Sequence, residues 1–173
     1  KYKYDRILSV GMFEHVGVPF FSSYFQMISK CLSIDGMGLI HTIGRRDGPG
    51  VTNPFIRKYI FPGGYIPAIS EVLPAIERAG LVVTDIEVLR LHYAKTLRIW
   101  RERFCRNWGR AVELYDEEFC RMWEFYLAAS EVAFRCMDLV VWQIQLAKNQ
   151  EAVPLTRDYI TDFDRDLEVR QSI

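Results

Sequence analysis

The sequence predicts an α/β fold, and three observations carry that prediction. Two short apolar runs, residues 5–11 and 37–43, read as buried strands. Between them, Phe20, Phe21, Tyr24, Phe25, Ile28 and Leu32 recur at helical spacing, which builds one apolar stripe over residues 18–33. The composition is the third: half of the 173 residues are apolar and 14% are aromatic, enough for one domain with a sizeable core and too much for disorder. Strand, helix, parallel strand is a βαβ unit, whose crossover is right-handed.

The remaining elements follow in order. Asp35-Gly36 is a turn signal between the first helix and the second strand. Residues 44–65 form a long connection rich in glycine and proline, of a length that is functional or disordered in compact domains. Its centre, Phe55 to Phe61, mixes apolar and basic residues; it suits a lipid interface or a lid, or a loop packed on the core by its own aromatics. Residues 67–79 read as a helix with Ile69, Leu73 and Ile76 inward and Gly80 as its stop. Residues 81–89 and 138–147 read as strands, separated by a long stretch of helical pattern. The main domain is therefore 1–154. The tail 155–173, with five acids and three arginines, is expected to be a polar, solvated extension.

Charge and cysteine content narrow the function classes. The chain has 22 basic and 22 acidic residues, so nothing in its overall charge favours nucleic acid as a partner. Residues 95–110 hold six basic residues against Glu102, and residues 113–124 hold five acids against Arg121. Two helices paired through these charges, or a basic amphipathic helix meeting anionic headgroups, would account for the pattern. Cys31, Cys105, Cys120 and Cys136 lack metal-ligand spacing, so no metal site is expected and buried reduced thiols are. With neither a leader-like start nor a run of about 18 apolar residues, a cytoplasmic location is the expectation.

The densest chemical signal is Tyr4 to Gly17, where a buried strand runs into Glu14 and His15. In open α/β sheets the ligand crevice lies beyond the carboxyl ends of the strands, which is where Glu14 would sit. The strand over 37–43 carries His41 near its own carboxyl end, so neighbouring strands would present Glu14 and His41 to one crevice. Read alone, each has a plainer alternative. Glu14 could be an exposed acid before a loop, His41 a core histidine bonded to backbone, and Tyr93 an ordinary packed tyrosine.

The motifs DRILSVGMFEHVG, LIHTIG, FPGGYIP (61–67), HYAKTLRIW (92–100) and FYLAASEVAFR (125–135), in this order, resemble the cyclopropane-fatty-acyl-phospholipid synthases, which include the mycolic acid cyclopropane synthases. The resemblance covers roughly residues 4–160. It implies the carboxyl-terminal half of a Rossmann-like methyltransferase fold: a mostly parallel sheet, an antiparallel last strand and a helical insertion. The implied reaction is methylene transfer from S-adenosylmethionine to the cis double bond of unsaturated phospholipid acyl chains, at the inner face of the membrane. Ring closure requires loss of a proton from the newly added methyl group.

By the same resemblance a bound bicarbonate is the base, held by Glu14, His41 and Tyr93 with the backbone of Ile43. Ser130 stands where family members often carry a cysteine, and a serine does not readily supply an anionic nucleophile or base at neutral pH. Related methylation without ring closure, methylation of a small amine, and a non-catalytic lipid-binding role are the rival readings, and homodimerisation is left open. The family's glycine-rich turn and the acid after its second strand have no counterpart here. The chain thus reads as part of a longer protein and is expected to be inactive alone, with only Val10 and Gly11 as cofactor-binding candidates.

Overall fold

In a computed structural model that describes residues 3–171, four strands form one sheet in the order β1-β2-β4-β3. They are β1 (Tyr4–Val10), β2 (Leu32–Arg45), β3 (Val82–Leu89) and β4 (Leu139–Ala147). β1 and β2 are parallel, and β4 runs antiparallel to both β2 and β3. The parallel βαβ start and the antiparallel last strand are as expected, with β4 inserted between its predecessors.

Two boundaries differ from the sequence reading for local reasons. The helix expected over 18–33 begins as a 3-10 turn, Val18–Phe20, before α1 (Phe21–Cys31). Gly17, at φ 81°, sets up that turn in a conformation that favours glycine. β2 starts earlier than residue 37, because Leu32 is fully buried and pairs with Tyr4. Arg6 then pairs with Met37, so residues 33–36, with the expected Asp35-Gly36 turn, loop out of the ladder without ending the strand.

The helices divide between the two faces of the sheet. α1 and α2 (Ile69–Arg78) cover one face, where Phe13, Phe21, Phe25, Ile28, Val72 and Ile76 meet Ile40, Trp142, Ile144 and Leu146. α2 starts with Glu71 accepting the Ala68 N–H at 2.8 Å and ends before Gly80, at φ 68°. The other face carries α3 (His92–Arg106), α4 (Trp108–Leu114) and α5 (Glu117–Cys136) over one end only. There Ala94, Leu97, Leu127, Phe134 and Val141 form a second, smaller cluster.

The charged runs do not pair these helices. Arg98 and Arg106 reach Glu102 within α3, and Arg121–Glu117 and Arg135–Glu131 lie within α5; among the described residues no ion pair joins the two. α3 and α5 are held by their apolar seam instead, since surface ion pairs contribute only about 0–1 kcal/mol each. The cysteine expectation also needs correcting: all four are free, but Cys105 and Cys136 are exposed and only Cys120 is buried.

The long connection packs by its own aromatics. Phe55 meets Phe125 edge-on at 5.2 Å, and Phe61 meets Tyr126 at 6.1 Å, both on α5. Most of the 155–173 stretch forms an exposed helix, α6 (Asp158–Gln171), with its last two residues outside the described ones. Arg157–Asp85 at 2.8 Å and Tyr159–Gln145 at 3.0 Å tie its start to the sheet.

Candidate active site

The site is built on an edge of β2 that outruns its neighbour. β1 pairs with β2 up to Val10–His41, and the Gly11 N–H donates to the His41 carbonyl at 3.0 Å. The next N–H on that edge belongs to Ile43, since alternate residues of a strand present their peptide groups to the same side. No β1 residue remains to face it. The chain turns instead into the 3-10 helix Phe13–His15, and Glu14 Oε1 accepts the Ile43 N–H at 2.7 Å. Two residues on, the Arg45 N–H donates to the Pro67 carbonyl, also at 3.0 Å. One side-chain carboxylate thus fills the gap between two backbone segments.

Glu14's second oxygen has no such partner. Oε2 is buried and is the one buried side-chain polar atom left without a hydrogen bond among the described residues. Burying a carboxylate oxygen unpaired costs free energy, and native folds seldom accept it without a functional return. The Glu14 backbone is held as firmly as its side chain, because its carbonyl accepts the Tyr65 N–H at 2.8 Å.

Tyr93, in the first turn of α3, packs with Ile43 in the second cluster, its ring edge-on to Phe134 at 5.1 Å. Burial raises its phenol pKa above 10.0, and the nearby Glu14 charge raises it further, so the hydroxyl stays protonated and can donate. His41 lies on the β2 face shared with Ile43, opposite Gln143 of β4. The Gln143 Nε2 stands 3.3 Å from His41 Nδ1. With the amide nitrogen as the donor, Nδ1 is the acceptor, which would leave Nε2 to carry the ring proton. His41 makes no hydrogen bond to Glu14 or Tyr93 among the described residues.

The other sequence candidates are placed as follows. Ile43 spends its N–H on Glu14, which aims the carboxylate, and its carbonyl accepts the Thr42 hydroxyl at 3.1 Å. Val10 is 59% exposed, and Gly11, at φ 62°, has already used its N–H on His41. Ser130 is half-buried beside Tyr126, whose pKa is raised by burial and the neighbouring Tyr93 and lowered by a hydrogen bond with Ser130.

Tyr126 and Tyr24 are site neighbours that the sequence reading did not single out. The Tyr24 hydroxyl donates to Ser9 Oγ at 2.7 Å, and burial raises its pKa, with Ser9 lowering it and the Glu14 charge raising it. Both tyrosines fall in apolar helical stripes, where periodicity assigns an aromatic to the core. A phenol among otherwise apolar core positions was the available signal, because a buried hydroxyl needs a partner.

The family profile for mycolic acid cyclopropane synthetase matches residues 1–144. The chain belongs to this family. It is 38% identical over 149 residues to the cyclopropane-fatty-acyl-phospholipid synthase of Escherichia coli K12, covering 86% of this chain and 39% of that protein. The chain therefore spans about two-fifths of that relative's length.

The fold superposes on the cyclopropane synthase MmaA2 of Mycobacterium tuberculosis with a TM-score of 0.79 at 32% identity, over 85% of this chain and 56% of that one. It superposes on the mycolic acid cyclopropane synthase CmaA1 complexed with SAH and CTAB with a TM-score of 0.77 at 32% identity, over 84% and 56%. The family and these structural neighbours are S-adenosylmethionine-dependent methyltransferases. No helix among the described residues is long and apolar enough to cross a membrane.

Proposed function

We propose that this chain carries the proton-removing half of a cyclopropane-fatty-acyl-phospholipid synthase site, acting on cis-unsaturated acyl chains of membrane phospholipids. The observation that supports this most is the buried, unpartnered Glu14 Oε2, with the Tyr93 phenol close enough to feel the Glu14 charge and with His41 two residues before Ile43, whose N–H Glu14 accepts. Two donors and one acceptor suit a small oxyanion that bears its own hydroxyl, which is the hydrogen-bonding pattern of bicarbonate.

Bicarbonate, when bound, supplies a weak base in an apolar site. Tyr93 O–H and His41 Nε2–H would donate to it, and Glu14 Oε2 would accept its hydroxyl. Ile43 would keep Glu14 aimed, and the aromatic side chains around Tyr93 and Tyr126 would keep water out. Loss of a proton next to a cationic carbon has a large driving force, so position matters more than basicity.

S-adenosylmethionine, when bound, supplies an electrophilic methyl group. We read Val10 and Gly11 as no more than the rim of a cofactor crevice, the Gly11 N–H being already engaged on His41. The activity therefore belongs to a protein in which this chain is joined to a cofactor-binding part. The 173 residues alone are expected to show no saturable S-adenosylmethionine binding at micromolar affinity by calorimetry; such binding would overturn this division of labour.

The lipid reaction is tested by mass spectrometry of membrane lipids from cells expressing the intact protein that carries this chain. The expected result is a gain of one CH2 per modified acyl chain with loss of the double bond. A gain of CH2 as a methyl branch, or methylation of an amine with lipids unchanged, would assign the chain to a relative with another product.

A further inference from the structure

The segment 54–61 presents two unlike sides. Phe55 and Phe61 fix it onto α5 through Phe125 and Tyr126, and Phe61 also lies 6.0 Å from the His15 ring, beside Glu14. Thr52 Oγ1 donates to the Gly64 carbonyl at 2.7 Å and closes the loop on itself. Five of its residues, Ile56–Ile60, form a single π-helical turn, an irregularity that recurs at functional sites.

The outward side is aromatic and basic. Tyr59 is 55% exposed, Phe61 44% and the adjacent Phe125 of α5 59%. Arg57 and Lys58 are exposed between them, and the Lys58 ammonium stands 4.7 Å from the Tyr59 ring centroid. Neither cation has an ion-pair partner among the described residues, and the sequence holds no acid between Asp47 and Glu71. Two of the four arginines of α3, Arg98 and Arg106, differ in this respect, since Glu102 lies 3.4 Å and 3.9 Å from them.

We propose that this lip, Arg57, Lys58, Tyr59 and Phe61 with Phe125, is the surface that docks on an anionic phospholipid bilayer. The chemistry is that of an interfacial segment: rings that enter the headgroup and upper acyl region, and cations with no internal partner that meet the lipid phosphates. Its position explains why it lies here. The lip lies against the turn that carries Glu14, through Phe61 edge-on to the His15 ring, so a bilayer held against it would deliver an acyl chain beside the site without the lipid leaving the membrane. The inference deepens the proposed lipid reaction, yet binding can be measured without turnover.

The test is co-sedimentation of the intact protein carrying this chain with vesicles of cis-unsaturated phosphatidylglycerol and phosphatidylethanolamine. Arg57→Glu/Lys58→Glu is expected to weaken binding at least about tenfold, and raised salt is expected to weaken wild type more than this variant. Tyr59→Ser/Phe125→Ser is expected to weaken binding while leaving most of the salt dependence. Circular dichroism checks that each variant is folded. Unchanged binding in both double variants would overturn the proposal, as would loss on Arg103→Glu/Arg106→Glu alone, which would move docking to α3. Either result would leave the lipid reaction standing if the CH2 gain persists, and loss of the CH2 gain with binding intact would fail the reaction and spare the lip.

Discussion

The two faces of the sheet are built to different standards. Under α1 and α2, Phe25, Ile40, Val72, Ile76, Ile144 and Leu146 are all fully buried, and the polar groups packed beside them are paired. On the opposite face α3 and α5 cover the β3/β4 side and the end of β2, while Leu8 and Val10 of β1 remain 67% and 59% exposed. Glu14, Tyr93 and Tyr126 lie at the carboxyl end of β2, where the cover begins. The closed face carries the larger core, and the other face is covered on one side only.

The comparison is broken most readily in the core. Phe25→Ala is expected to destabilise the fold by about 3–5 kcal/mol, whereas Leu8→Ser in the 173-residue chain is expected to stay within about 0.5 kcal/mol. Urea unfolding midpoints measure both. Equal losses would mean that the second face is covered in solution.

At the site the expected effect falls on activity instead. Tyr93→Phe removes one hydroxyl from a packed ring, so product formation in the intact protein should drop about 10²-fold while stability changes by about 1 kcal/mol or less. Lipid product quantified against the unfolding midpoint separates the two. A stability loss matching the activity loss would make Tyr93 an ordinary core residue.

A smaller effect appears at alkaline pH. Burial raises the pKa values of Tyr24, Tyr93 and Tyr126 above 10.0, so the folded state holds these protons more tightly than the unfolded chain. Their contribution is fully present below pH 10 and is lost as pH rises through the folded values. Stability should therefore decline above about pH 10, and ultraviolet titration should show late-ionising tyrosines that become ordinary when the protein unfolds. Substituting Tyr24, which faces the closed core, should remove one late step without altering product formation as much as Tyr93→Phe does.

Much of this was legible in the sequence because the periodicities are clean. The βαβ start, α2 with its glycine stop, and β3 and β4 each carry an undisturbed apolar pattern. His41 stood out as an ionisable group on an apolar strand, and Glu14 as one just beyond the end of another. What escaped was set by contacts distant in sequence. Leu32 extended β2 by pairing with Tyr4, and the pairing of α3 with α5 was decided by Ala94, Leu97, Leu127 and Phe134, not by the charge runs that dominate the local composition. The Ile43 N–H could not be assigned to Glu14 from sequence either, because that bond depends on β1 stopping short of the end of β2.

The central claim is that Glu14's unpaired oxygen is kept for a ligand, and Glu14→Gln in the intact protein tests it most directly. The amide can still accept from Ile43 while losing the second acceptor oxygen. The account predicts a folded protein, at least as stable as wild type, whose expression no longer adds one CH2 to unsaturated membrane acyl chains by mass spectrometry. Wild-type levels of that product from a folded Glu14→Gln protein would contradict it.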